Sequence, residues 1–100
     1  MELMDLPRAS KSEIGFVRSL HRKSERDKSR MFLVEGIKLC NELLYSSLEI
    51  VFFIVDVNSG DQVYHFATKA VEKFQKVLVC ESSKFVSLCD AATPQGVIAV

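Results

Sequence analysis

Six consecutive apolar residues, Ile50-Val51-Phe52-Phe53-Ile54-Val55, are the longest unbroken apolar stretch in this chain. A strand points successive side chains to opposite faces, so a strand without a polar position must be covered on both. The run is far short of the roughly 20 residues needed to cross a bilayer as a helix. Asn58-Ser59-Gly60-Asp61 follows as a turn ending in a helix cap. Val63, Phe66, Ala67, Ala70, Val71 and Phe74 then recur at the spacing of one helix face. A strand needing two covers, followed by a helix with one apolar side, points to an α/β architecture.

The flanking segments extend that pattern. Ser10-Lys11-Ser12-Glu13 reads as a capping box, and Ile14, Val17 and Leu20 or His21 carry a first helix to about Lys23. Residues 24–30 are polar and charged, which predicts an exposed loop. Met31-Phe32-Leu33-Val34 reads as a short strand, and Glu35-Gly36 turns the chain into a helix with Ile37, Cys40, Leu43 and Leu44 on one side. Val77 to Cys80 is a third strand, Ser82 or Ser83 caps a short helix through Leu88, and Val97 to Val100 is a fourth strand. Alternation of helices with fully apolar strands predicts a mostly parallel four-stranded sheet flanked by helices.

One hundred residues suit a single domain. With 48% hydrophobic and 26% charged residues, extended disorder is excluded. Cys40, Cys80 and Cys89 cannot all pair and show no Cys-x-x-Cys spacing, so a reducing cytoplasm is the expected setting. Residues 1–10 carry Glu2, Asp5 and Arg8 and no apolar run of signal-peptide length. The four glycines stand singly, so a phosphate-cradling loop is absent, and neither His21 nor His65 has a cysteine or second histidine within helical reach. No metal site and no catalytic nucleophile with its base can be assembled, and Cys40 reads as an inert packed thiol.

The charge is distributed unevenly. Between Arg8 and Arg30 eight basic residues face three acidic ones, a local net of +5, whereas from Met31 onward the net is −3. Arg18, Arg22 and Arg26 repeat every four residues, which would line them along one side of the first helix and its exit. Such a cluster attracts polyphosphate through counterion release, and arginine offers planar forked donors to phosphate oxygens. The bland reading is a solvated helix face whose arginines pair locally with Glu25 and Asp27.

The segment Leu20-His21-Arg22-Lys23-Ser24-Glu25-Arg26-Asp27-Lys28-Ser29-Arg30-Met31-Phe32-Leu33-Val34-Glu35-Gly36 resembles the opening of SpoU/TrmH-type RNA 2′-O-ribose methyltransferases, where a basic run leads into a Phe-Leu-Val-Glu-Gly signature. Thr93-Pro94-Gln95-Gly96-Val97-Ile98-Ala99-Val100 is similar to the segment closing that family's amino-terminal domain. The resemblance implies a three-layer α/β/α sandwich similar to kink-turn-binding ribosomal proteins. It also implies an amino-terminal tail over 1–9, an RNA substrate-binding domain over 10–96, and a last strand and junction over 97–100. Beyond the junction the family carries a knotted domain that holds S-adenosylmethionine, supplies catalysis and forms a homodimer. The chain stops inside an apolar run, as expected of a fragment cut at that junction, so no catalytic or cofactor residue is assigned within it.

Carried over residue by residue, Arg18, Arg22, Lys23, Arg26, Lys28 and Arg30 match the basic stretch and are expected to contact RNA, ribosomal RNA first and transfer RNA second. Glu35 orients a neighbouring arginine or bonds a ribose, and Gln95 is a further contact within a Thr93–Gly96 hinge. Gly36 is expected to permit the strand-to-helix turn. Two rivals stand beside this reading: a stand-alone ribosomal-protein-like RNA binder, and a protein-interaction domain whose basic helix is merely solvated.

Overall fold

The computed structural model describes residues 2–89 and 96–99. Its helices are α1 (Lys11–Ser19), α2 (Lys23–Ser29), α3 (Ile37–Leu44), α4 (Asp61–Glu72) and α5 (Ser82–Leu88). Its strands are β1 (Val34–Glu35), β2 (Phe53–Asp56), β3 (Val77–Cys80) and β4 (Val97–Ala99). The strands lie in the order β1-β4-β2-β3.

The apolar run becomes a doubly covered strand, as its composition demands. Phe53 and Val55, with Val77 and Val79 of β3, face Cys40 and Leu44 of α3 and Val63, Phe66 and Ala70 of α4. Phe52 and Ile54, with Leu78 and Cys80, face Ile14 and Val17 of α1 and Phe85 and Leu88 of α5. The alternation of the pleat thus divides the core into two clusters on opposite faces. The ordered strand begins only at Phe53; Val51 is exposed.

The expectation of a mostly parallel sheet is corrected. Only β2 and β3 pair in parallel, with Phe53 opposite Val77 and Asp56 opposite Cys80. β4 slots between β1 and β2 and runs antiparallel to both. Apolar patterning specifies which faces a strand buries, and both directions bury the same faces. At the far edge, Pro7 to Ala9 bond to Val79 and Leu3 is buried, so the amino terminus covers β3.

The capping box forms: the Ser10 amide donates to Glu13 Oε1 at 2.8 Å and the Glu13 amide to Ser10 Oγ at 3.1 Å. The helix it opens is shorter than expected. His21 and Arg22 amides donate to carbonyls three residues back, and Arg22 adopts extended backbone angles that end the run. Residues 24–30 are not a loop: 24–29 belong to α2 and Arg30 caps its end. That helix buries no side chain and therefore leaves no apolar period to read. Its straight-chain residues favour the helix, with a weak contribution from Lys23 to Asp27 across one turn at 2.8 Å, and Ser29 Oγ donates to the Glu25 carbonyl.

The apolar face of α4 ends earlier than the spacing predicts. Phe74 is 96% exposed and has φ +62°, and Val71 is also exposed. Gln75 donates to the Ala70 carbonyl and Phe74 to that of Val71, the bonding pattern of a helix end whose left-handed position usually holds glycine. Ser82 is the first residue of α5, and its hydroxyl donates to Asp56 Oδ1 at 2.7 Å rather than closing the helix end.

Candidate nucleic-acid interface

The basic segment occupies α1, α2 and the joint between them, and the four-residue arginine stripe does not survive the break at Leu20–Arg22. Arg18, in the last turn of α1, is exposed and donates to Ser87 Oγ of α5 at 2.9 Å. Arg22 stands exposed at the amino-terminal cap position of α2. Arg26 folds back half-buried and donates to the Leu20 carbonyl at 2.9 Å, capping the carboxyl end of α1, where a cation is favoured. Arg30 is exposed in the left-handed conformation that ends α2, φ +58°.

No carboxylate pairs with Arg18, Arg22, Arg26 or Arg30 among the described residues. The local-pairing alternative fails for these arginines and holds for Lys23, whose ammonium lies 2.8 Å from Asp27. That pair is exposed on both sides and holds little energy. Lys28 follows Arg26 by two residues, about 200° around the helix, and so stands on the other side of α2. The structure therefore places Arg22 and Arg26 at the α1–α2 joint, turns Arg18 toward α5 and sets Lys28 on another side of α2. Gln95 lies outside the described residues, as do Thr93 and Pro94.

The signature that follows is built for a sharp turn. Glu35 is half-buried in β1, opposite Ile98 of β4. Gly36 has φ +103°, a conformation that side-chain-bearing residues rarely adopt, and its carbonyl receives the Cys40 amide as α3 begins. Burial pushes the Cys40 thiol up to about 12 and the Cys80 thiol to about 11, so both are un-ionised at neutral pH. Gly96 holds a second close approach: with φ +89°, an added Cβ would collide with the Ser59 side chain and lie 2.9 Å from Val63 Cγ2. Among the described residues no group of three or more His, Cys, Asp or Glu is placed to hold a metal ion. No helix among them is long and apolar enough to cross a membrane.

A second set of cations escaped the reading by segments. Lys38, Lys69 and Lys73 belong to the part of the chain whose net charge is negative, yet α3 and α4 set them along one face. Helical spacing was the available signal: 38, 41 and 45 on one helix, and 62, 65, 69 and 73 on the other.

A family model for the MRM3-like substrate binding domain matches residues 11–99. No curated protein matches the chain. Among solved structures, an rRNA methyltransferase from Sinorhizobium meliloti superposes with a TM-score of 0.65 at 23% identity, over 94% of this chain and 34% of its own. A Porphyromonas gingivalis protein ascribed to the TrmH family of RNA methyltransferases gives 0.63 at 24% identity, over 90% and 34%. An RNA 2′-O ribose methyltransferase gives 0.71 at 19% identity, over 94% and 35%. The chain spans about a third of the length of each of these structures.

Proposed function

The chain belongs to the MRM3-like substrate-binding domain family, and from that premise we propose that it is the amino-terminal binding domain of a SpoU/TrmH-type RNA methyltransferase and captures structured RNA, ribosomal RNA first, for 2′-O-ribose methylation. In this reading the chemistry belongs to a further domain of a longer parent. Bound S-adenosylmethionine supplies the methyl group there, and that domain carries the homodimer contact, in a cytoplasmic setting. The tasks of this chain are to bind and orient the RNA. Helices on both faces of the sheet support reading the domain as a three-layer α/β/α sandwich similar to kink-turn-binding ribosomal proteins.

The observation that carries the proposal is the α1–α2 joint and its flanks, where, among the described residues, the arginines pair with no carboxylate and Arg18 and Arg26 bond only neutral acceptors. Such a surface draws in RNA through its phosphates, and recognition proceeds by backbone, 2′-hydroxyl and unstacked-base contacts. Arg18, Arg22, Arg26 and Arg30 make the phosphate contacts, with Lys23 adjoining them and Lys28 reaching a separate part of the strand. Glu35, at the signature turn, and Gln95 complete the set.

A salt titration of binding to ribosomal RNA fragments and to transfer RNA tests this reading. With roughly four phosphates neutralised, single-strand affinity falls with log salt at a slope near −3. A flat response, or absence of binding to either RNA at low salt, overturns the proposal.

A further inference from the structure

Between α3 and α4 lies a groove of about 870 Å³ whose lining, among the described residues, includes no carboxylate. That volume is within the range of functional ligand clefts. Lys38 and Asn41 line it from α3, and Gln62, His65 and Lys69 from α4. Lys69 Nζ donates to Asn41 Oδ1 at 2.8 Å across the two helices, fixing its ammonium over the groove and leaving the Asn41 amide nitrogen as a donor. At the end of α3 the Tyr45 ring is 61% exposed, with Lys73 Nζ 4.5 Å and Lys69 Nζ 6.0 Å from its centre. None of the three lysines is paired with a carboxylate among the described residues.

We infer that this groove is a second RNA-contacting surface, separate from the α1–α2 joint, on which the lysines hold a sugar–phosphate strand and Tyr45 stacks an unpaired base. The inference rests on the RNA-binding reading and adds a place and a chemistry to it. Phosphate oxygens are matched by Lys38, Lys69 and Lys73. Side-chain amides of Asn41 and Gln62 offer both donor and acceptor groups, which suit 2′-hydroxyls and base edges. An exposed aromatic ring flanked by cations is the arrangement on which single-stranded nucleic acid stacks. A groove for an acidic peptide would need the cations but not the aromatic platform, so the ring decides between the two partners.

The test is fluorescence anisotropy of the whole chain with a labelled RNA stem-loop, comparing wild type, Arg22→Gln, Lys38→Gln/Lys73→Gln, Tyr45→Ala and Tyr45→Phe, each checked for folding by circular dichroism. Both lysines of the double variant are exposed, so the fold is expected to persist. The double variant should lower the salt slope by about 1.4. Tyr45→Ala should weaken binding on the order of ten-fold, and Tyr45→Phe should retain it. If Arg22→Gln weakens binding while the lysine and tyrosine variants match wild type, the groove inference is overturned and the RNA-binding function survives. If the wild-type chain does not bind the stem-loop at all, the functional reading falls as well. Equal displacement of the RNA by polyglutamate and by unlabelled stem-loop would assign the groove to acidic chains and overturn the inference.

Discussion

The α1–α2 joint and the α3–α4 groove obtain positive surface in opposite ways. In the first, basic residues crowd together in sequence, and the fold then disperses them: α1 ends at Ser19, Arg18 turns to α5, Arg26 caps α1, and Lys28 faces away. In the second, three lysines scattered through an acidic stretch are gathered onto one face by two helices packed side by side. Linear charge density and surface charge density are therefore separate quantities. The first can be summed along a chain, while the second depends on which helix faces share solvent.

The two regions also differ in what supports them. Phe66 lies beneath the groove, 2% exposed and edge-on to Phe53 at 5.0 Å between ring centres, whereas α2 buries nothing. Phe66→Ala should cost about 3–5 kcal/mol in denaturant unfolding, enough to endanger the whole domain. A loss below 1 kcal/mol would show that the groove is not founded on the core.

Within the joint, Arg26 and Arg22 should separate. Arg26→Ala removes a charge-assisted bond to the Leu20 carbonyl and should cost about 1.5 kcal/mol of stability as well as RNA affinity. Arg22→Ala should lower affinity alone, because Arg22 is exposed. Equal unfolding midpoints for the two variants would remove the structural role assigned to Arg26.

The smallest effect concerns the tether between α1 and the sheet edge. The bond from the Ser10 amide holds the Glu13 carboxyl below its ordinary range against the opposing effect of burial, with a further contribution from Lys76 Nζ at 3.1 Å. The folded-state value is lower than the unfolded one, so this contribution is complete above the unfolded value of about 4.3 and is lost as pH falls through the folded one. Glu13→Gln keeps a capping side chain but removes the charge. It should cost about 0.5 kcal/mol at neutral pH and flatten the acid limb of a stability–pH profile. An acid limb identical to wild type would detach Glu13 from the acid sensitivity of the domain.

Legibility followed burial. The Ser10 capping box, β3 and the buried side of α4 were readable because each satisfies a local rule: reciprocal caps, a four-residue apolar run, and a repeat matching the helical turn. α2 was missed because a helix lying on the surface with no buried side chain has no repeat to detect. Phe74 was misplaced because the spacing continues one turn past the point where α4 stops. At the candidate interface, the crowding of arginines along the chain was readable and their bonding partners were not: Ser87 and the Leu20 carbonyl come to Arg18 and Arg26 only once α5 and the bend after α1 are in place.

What the amino-acid order decides alone is which segments carry an apolar face and where local caps and glycine turns sit. Hydrophobic periodicity, hydroxyl caps and Gly36 act over a few residues and need no distant partner. Tertiary structure alone decides the reversed direction of β4 and which cations share a surface. Those outcomes depend on contacts between segments far apart in the chain, and several arrangements of the same local elements would bury equal apolar area while placing the charges differently.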